Sequence, residues 1–126
     1  EAYVFDPVCI ALDSLDNVHI TYINDISLRE IFNQLLYATN ATGNWVIEMV
    51  DSGNCTGNAL AIDPDGKAHI CYETYVNDSL KYATNASGAW NIETVDSQLS
   101  LFFHPNFINK FRNRIFYKSF FLNFFH

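Results

Sequence analysis

The stretch LKYATNASGAWNIETVDS, residues 80–97, occurs almost unchanged upstream, where residues 37–52 read YATNATGNWVIEMVDS. Tyr82 follows Tyr37 by 45 residues, and 12 of the 16 positions compared are identical. Self-similarity at a period of about 40 to 50 residues is typical of repeat architectures. The sequence therefore predicts two copies of one structural unit.

The repeated stretch has the pattern of a β-hairpin. Residues 80–84 alternate with a period of two, which is typical of a half-buried strand. Asn85 and Gly88 supply the turn, since Asn tolerates left-handed dihedral angles and Gly takes a positive φ without a steric clash. Residues 90–95 are rich in aromatic and β-branched side chains and form the second predicted strand.

A second pair of short strands precedes each hairpin. Residues 10–13 and 18–22 form this pair in the first copy, and residues 60–63 and 68–72 repeat it 50 residues later. The Pro-Asp-Gly sequence between the last two strands is a turn sequence. Four antiparallel strands repeated about every 45 residues are typical of the blades of a β-propeller. We therefore predict an all-β fold made of two such blades.

The repeat also predicts the boundaries of the units. Residues 1–52 hold a short linker and the first blade, and residues 53–97 hold the second. The first copy is five residues longer, because its two halves are offset by 50 and by 45, and we place these residues in a loop within residues 25–36. Residues 98–126 lie outside the repeat. They fit either a basic amphipathic helix on a membrane surface or disordered sequence unrelated to the fold, and we prefer the second interpretation.

Charge and cysteine content exclude some classes of function. All 14 acidic residues lie in 1–97, which argues against binding to a nucleic-acid backbone. The three cysteines include no CxxC pair, so we expect no zinc site and no cofactor. A disulfide between Cys9 and Cys55 is left open at this point. No signal peptide is visible in the sequence.

Residues 8–97 resemble propeller repeats of secreted bacterial proteins, with blades like those of sialidases and fucose-specific lectins. The resemblance is carried by ALD…VHITY…LYATNATGNWVIEMVDS and AID…AHICY…LKYATNASGAWNIETVDS. TNASGAW is similar to a relaxed Asp-box, with Asn85 in place of the Asp and with each spacing changed by one residue. The resemblance implies an extracellular or cell-surface protein, and in that family the box is a folding device.

Two blades do not close a propeller, which needs about four to eight. The chain is therefore expected to be a fragment of a longer array or, as a second alternative, a subunit that completes a ring by association. Its expected partners are the remaining blades of the parent chain or copies of itself. Contact with a membrane is expected only through residues 98–126.

Several residue types recur at matching positions of the two copies. We interpret these repeated residues as structural: the histidines as packed between blades, the tryptophans likewise, and the turn residues as needed for backbone geometry. The repeated acids Glu48, Glu93, Asp51 and Asp96 could suggest a glycosidase pair, but we interpret them as strand-end hydrogen-bond acceptors. The structural repeat positions are His19, His69, Trp45, Trp90, Asn40, Asn85, Gly43 and Gly88.

Ligand binding is the remaining function. One rim of a propeller carries the connections between second and third strands and those between blades, here including residues 51–58. Polar groups beside an aromatic ring suit a sugar or a peptide. We expect a non-catalytic, lectin-like module, or alternatively a structural or protein-interaction repeat. A sialidase-like glycoside hydrolase is less favoured, because that family uses an arginine cluster and these blades contain one arginine. The candidate ligand-binding residues are Asp25, Arg29, Glu30, Tyr75, Asn77 and Asp78.

Overall fold

The computed structural model describes residues 8–25, 33–74 and 79–97, and within these ranges all regular secondary structure is β. Alternating sequence patterns and β-branched residues favour strands, as predicted. The eight strands are β1 (Cys9–Leu12), β2 (Val18–Asp25), β3 (Asn33–Thr39), β4 (Val46–Asp51), β5 (Cys55–Ile62), β6 (Ala68–Thr74), β7 (Ser79–Thr84) and β8 (Asn91–Asp96).

The strands form two antiparallel four-stranded sheets. The N-sheet has the order β1-β2-β3-β4, and the C-sheet has the order β5-β6-β7-β8. Each strand pairs with its neighbour in sequence, so short connections suffice. The expectation of an all-β chain with four antiparallel strands in each copy is confirmed.

The third and fourth strands pair in the same register in both sheets. Tyr37 pairs with Glu48 in the N-sheet, and Tyr82 pairs with Glu93 in the C-sheet. A register shift occurs at the matching place in both outer strand pairs, directly after Leu35 and directly after Leu80. The hairpins of the two copies therefore adopt the same fold, including this irregularity, whereas β5–β6 has an additional register shift between Thr56 and Asn58.

Two boundaries differ from the sequence-based expectation. Strand β5 begins at Cys55, five residues before the predicted strand at 60–63. The segment 33–36, which we expected in an inserted loop, belongs to β3. The remainder of that expected loop, the linker 1–7 and the tail 98–126 lie outside the described residues, so the predictions made for them stay predictions.

The sheets stack face to face and enclose the core between them. Because side chains alternate along a strand, each sheet contributes one set of alternate residues to this interface. The two sets come from opposite faces of the repeat, so the sheets stack in the same direction and not as mirror images. The buried core consists of Cys9, Leu35, Tyr37, Val50, Cys55, Leu60, Ala68, Ile70, Tyr72 and Ala83.

Hydrogen bonds join the sheets at the border of this core. Thr21 Oγ1 donates to Asn58 Oδ1 at 2.5 Å, and the Cys9 thiol donates to the backbone oxygen of Asn58 at 3.0 Å. The Cys55 thiol lies 3.7 Å from the backbone oxygen of Asp51. Cys9 and Cys55 thus keep their thiols, and the disulfide considered from the sequence is not formed.

Candidate functional site

The segments that contain the candidate ligand-binding residues connect strands at one edge of the two sheets. Asp25 is the last residue of β2 and pairs with Asn33 at the start of β3. Thr74 and Ser79 are the matching pair in the C-sheet. The connections 26–32 and 75–78 therefore leave corresponding ends of the two sheets. The other five candidates, Arg29, Glu30, Tyr75, Asn77 and Asp78, lie outside the described residues.

The connection between the sheets reaches this same edge. The backbone N–H of Asn33 donates to Asn54 Oδ1 at 3.3 Å, and Asn54 adopts a positive φ of 54°. The three connections 26–32, 52–54 and 75–78 thus start and end beside one another, and we call this the loop edge. Convergence of these connections at one edge was expected from the sequence.

The predicted rim segment 51–58 is mostly unsuited to ligand binding. Residues 55–58 are buried in β5, where they face the neighbouring strand and the N-sheet. Only residues 52 and 53 of this segment are exposed. The expectation of a continuous rim from 51 to 58 is therefore wrong, because the first half of β5 forms part of the interface between the sheets.

A buried His–Asp–Tyr group lies at the opposite edge of the N-sheet. His19 Nδ1 is 2.7 Å from the Tyr37 hydroxyl, and His19 Nε2 is 3.0 Å from Asp13 Oδ2. Asp13 belongs to the turn between β1 and β2, and Tyr37 belongs to β3. The histidine therefore ties the turn to the third strand of its own sheet.

The C-sheet repeats this group with the same atoms. His69 Nδ1 lies 2.5 Å from the Tyr82 hydroxyl, and His69 Nε2 lies 2.8 Å from Asp63 Oδ2. We expected the two histidines to be packed and hydrogen-bonded between blades. They are buried and hydrogen-bonded, but the Asp and the Tyr that bond to each ring belong to the same copy of the repeat as the ring. The reason is that the turn before the second strand folds back over it.

Hydrogen bonds and burial shift the pKa values of the acidic side chains in these groups. Hydrogen bonds from His19 and then from Asn17 hold the pKa of Asp13 below its usual range. Burial opposes ionisation of Asp63, but hydrogen bonds from His69 and from the backbone of the turn outweigh it and lower its pKa. Burial raises the pKa of Tyr37. Each Nε2 must carry a proton, because an ionised carboxylate can only accept a hydrogen bond.

These groups are structural. His19 is 2% exposed, and a substrate could not reach its ring nitrogens, which are both occupied. The aspartates were not predicted from the sequence as histidine partners. The signal was present, because an aspartate stands six residues before the histidine in both copies, in DSLDNVH and DPDGKAH.

The repeated asparagines have a different role from the one predicted. Asn40 Oδ1 accepts a hydrogen bond from the backbone N–H of Val18 at 2.8 Å, and Asn85 Oδ1 accepts one from Ala68 at 2.8 Å. Neither asparagine has a positive φ, whereas Gly43 has 98° and Gly88 99° in the same turns. The glycines supply the left-handed geometry, and the asparagine side chains connect each hairpin turn to the start of the second strand of its sheet, β2 or β6.

The two tryptophans differ in environment. The Trp90 ring packs edge-on against Tyr37 of the N-sheet, with ring centroids 5.1 Å apart, and its Nε1 donates to Glu48 Oε2 at 2.7 Å. Trp45, its counterpart in the first copy, is 56% exposed. Packing between the sheets, which we expected of both, thus holds for Trp90. Trp45 points away from the interface, because the C-sheet covers the other face of the N-sheet.

The repeated acids of the N-sheet bind across the interface. Asp51 Oδ2 accepts from the Tyr72 hydroxyl at 2.7 Å and lies 3.5 Å from Lys81 Nζ, and its Oδ1 accepts from the backbone of Gly53 at 3.2 Å. Burial, together with the bond to Asp51, raises the pKa of Tyr72. The strand-end hydrogen bond we predicted is therefore present, but the shortest hydrogen bond of Asp51 is to Tyr72 of the other sheet.

A small depression on the C-sheet has room for about one water molecule, and Gly57, Asn58, Ala59, Cys71, Tyr72, Glu73 and Leu80 line it. In residues 8–25, 33–74 and 79–97, no three His, Cys, Asp or Glu side chains are arranged to hold a metal ion. None of these ranges contains a helix of the length and apolarity that crossing a bilayer requires.

Comparisons with protein-family models, with curated proteins and with solved structures found no match to this chain.

Proposed function

We propose that the chain is part of an extracellular β-propeller-type array that recognises a carbohydrate at its loop edge without catalysing a reaction. The observation that carries the proposal is the convergence of the connections 26–32, 52–54 and 75–78 at one edge of two sheets that stack in the same direction. In such an arrangement each added sheet would add its own connections to the same surface.

The chemistry of these connections suits a sugar. By sequence, the end of β2 and the connection after it contain two acids and one base, and the connection 75–78 contains an aromatic ring, an amide and an acid: Asp25, Arg29, Glu30, Tyr75, Asn77 and Asp78. Polar groups next to an aromatic ring bind sugar hydroxyls and the apolar face of the sugar ring together. At the opposite edge, Asp13 and Asp63 accept hydrogen bonds from the backbone of their own turns, which occupies these two acids.

A glycosidase is less well supported. The repeated carboxylates Glu48 and Asp51 accept hydrogen bonds from Trp90 and Tyr72 across the sheet interface, and this occupies them structurally. A sialidase-like site would in addition need several arginines to bind the substrate carboxylate, and only Arg29 lies within residues 1–97. Recognition without catalysis is the function that we infer.

A glycan array probed with the labelled full chain tests this proposal. We expect binding to at least one sugar class, and loss of that binding in a Tyr75→Ala, Asp78→Ala double variant. Asp65→Ala, which removes an exposed acid from the opposite edge, is the matched control and should bind as the wild type does. Binding to no glycan, or equal binding by the double variant, would remove the carbohydrate proposal.

A structural or protein-interaction repeat is the second candidate. One observation favours it: the face of the N-sheet that points away from the C-sheet exposes a row of large apolar side chains. Exposed apolar patches of this kind mark surfaces that bind proteins. If the labelled chain binds no sugar on the glycan array but binds a defined protein partner, this second function replaces the first.

A further inference from the structure

The face of the N-sheet that points away from the C-sheet is apolar and exposed. We call it the outer N-face. Its exposed members lie on β1, on β4 and just before β1, and they are between 53% and 67% exposed: Val8, Ile10, Leu12, Ile47 and Met49. By the strand registers, Ile20 and Tyr22 of β2 lie on the same face and are half-buried. Such a surface is costly to leave in water.

In the C-sheet, the residues equivalent to those of the outer N-face are buried against the other sheet. Leu60 occupies the position of Ile10 in the second copy, and Ile70 occupies the position of Ile20. Leu60 is 2% exposed and Ile70 is 0% exposed, because this face of the C-sheet packs against the N-sheet. The same repeat face is thus covered in one copy and exposed in the other.

The opposite face of the C-sheet shows the complementary difference. We call it the outer C-face. Val50 of the N-sheet is 6% exposed within the sheet interface, whereas its counterpart Val95 is 60% exposed. Glu48 accepts the hydrogen bond of Trp90 in the interface, whereas its counterpart Glu93 is exposed on β8. The β8 part of the outer C-face therefore presents the counterparts of the N-sheet groups that cover the C-sheet in the existing interface.

The polar contacts of the interface also have counterparts on the two outer faces. Trp90 donates to Glu48, and Tyr72 donates to Asp51. Trp45 and Tyr22 are the counterparts of these donors on the outer N-face, and Trp45 is 56% exposed. The matching acceptors, by repeat position, are Glu93 and Asp96. An outer C-face laid on an outer N-face could therefore form both bonds again.

We propose that a second copy of this chain docks head to tail, with its outer C-face on the outer N-face of the first. The contact would reproduce the interface already present between the two sheets, including hydrogen bonds from Trp45 to Glu93 and from Tyr22 to Asp96 of the other copy. Such an interface is heterologous, so it continues until a ring closes or grows into a filament. The inference rests on the observed sheet packing and not on carbohydrate binding, so either can fail without the other.

The first experiment measures association of the full chain by sedimentation velocity over a range of concentration. We expect concentration-dependent oligomers for the wild type. Ile10→Lys with Met49→Lys places two charges on the outer N-face and should weaken association at least about tenfold. Leu15→Lys, which changes an 80%-exposed leucine in the turn after β1, is the matched control and should associate like the wild type. A wild type that stays monomeric at every concentration overturns the proposal and points to further repeats of a longer chain as the occupant.

The second experiment tests the head-to-tail geometry. Glu93→Lys with Val95→Lys blocks the outer C-face, and each blocked variant alone should be monomeric at concentrations where the wild type associates. An equal mixture of the N-face variant and the C-face variant retains one intact face of each kind, and it should form a dimer that grows no further. Far-UV circular dichroism confirms that each variant is folded. Absence of the mixed dimer, from folded variants and an associating wild type, overturns the head-to-tail arrangement.

Discussion

At the scale of single residues, the buried polar groups stabilise each sheet and have no catalytic role. Burying an imidazole without partners would cost free energy, and the Asp and Tyr partners offset that cost. His19 and His69 each use both ring nitrogens for this purpose. The same residue types could form a catalytic site elsewhere, so their burial and their repetition in both copies decide the structural assignment.

The aspartates of these groups predict how stability depends on pH. The pKa values of Asp13 and Asp63 are lowered in the folded state from an ordinary value of 3.8. The folded chain therefore binds fewer protons than the unfolded chain, and this stabilisation is complete above pH 3.8 and is lost as the pH falls below it. We expect urea unfolding midpoints to drop steeply from about pH 4 to pH 2.

An Asp13→Asn, Asp63→Asn double variant should be less stable than the wild type at pH 7 and should lose less stability on acidification. Asp65→Asn, an exposed turn aspartate, is the control for removing a charge and should keep the wild-type pH dependence. Parallel pH profiles for the double variant and the wild type would show that these two carboxylates are not the linked groups.

At the scale of elements, the repeated hairpin turn depends on a glycine with left-handed geometry. Gly88 has φ of 99°, and a Cβ built there meets no atom within 4 Å, so a substitution there would cost conformational strain and create no clash. We expect Gly88→Ala to lower the free energy of unfolding by about 1–2 kcal/mol, measured by urea titration. Gly53→Ala, where φ is not positive and the nearest contact is 3.5 Å, should change it little. Equal losses in both variants would contradict this account.

The strands themselves were predictable from alternation, but two strand boundaries were not, and the start of β5 shows the reason. The segment CTGN at 55–58 contains typical turn residues, yet it forms the first half of β5. Asn58 is held there by Thr21 and Cys9 of the other sheet, and such tertiary contacts override local propensity. The bond from Val18 to Asn40 spans 22 residues for the same reason, and no local pattern could have indicated it. The aspartate–histidine spacing, by contrast, was readable in both copies.

At the scale of the whole molecule, the repeat allows the burial of equivalent residues in the two sheets to be compared. Ile70 lies in the sheet interface and is 0% exposed, whereas Ile20 is the same residue at the same repeat position on the outer N-face. Removing a buried isoleucine to the β-carbon costs about 2–5 kcal/mol, because it loses apolar burial and leaves a cavity. The interface between the sheets should therefore dominate the stability of the dilute chain.

We expect Ile70→Ala to lower the free energy of unfolding by about 2–5 kcal/mol, and Ile20→Ala to lower it by less than half as much at high dilution. Urea titrations of both variants followed by tryptophan fluorescence measure the difference. If a second copy covers the outer N-face, the cost of Ile20→Ala must rise with protein concentration, because the wild type then gains stability from association that the variant lacks. Equal losses in the two variants at high dilution would mean that the sheet interface does not dominate the stability. The interface within one chain would then no longer support the proposed interface between two copies.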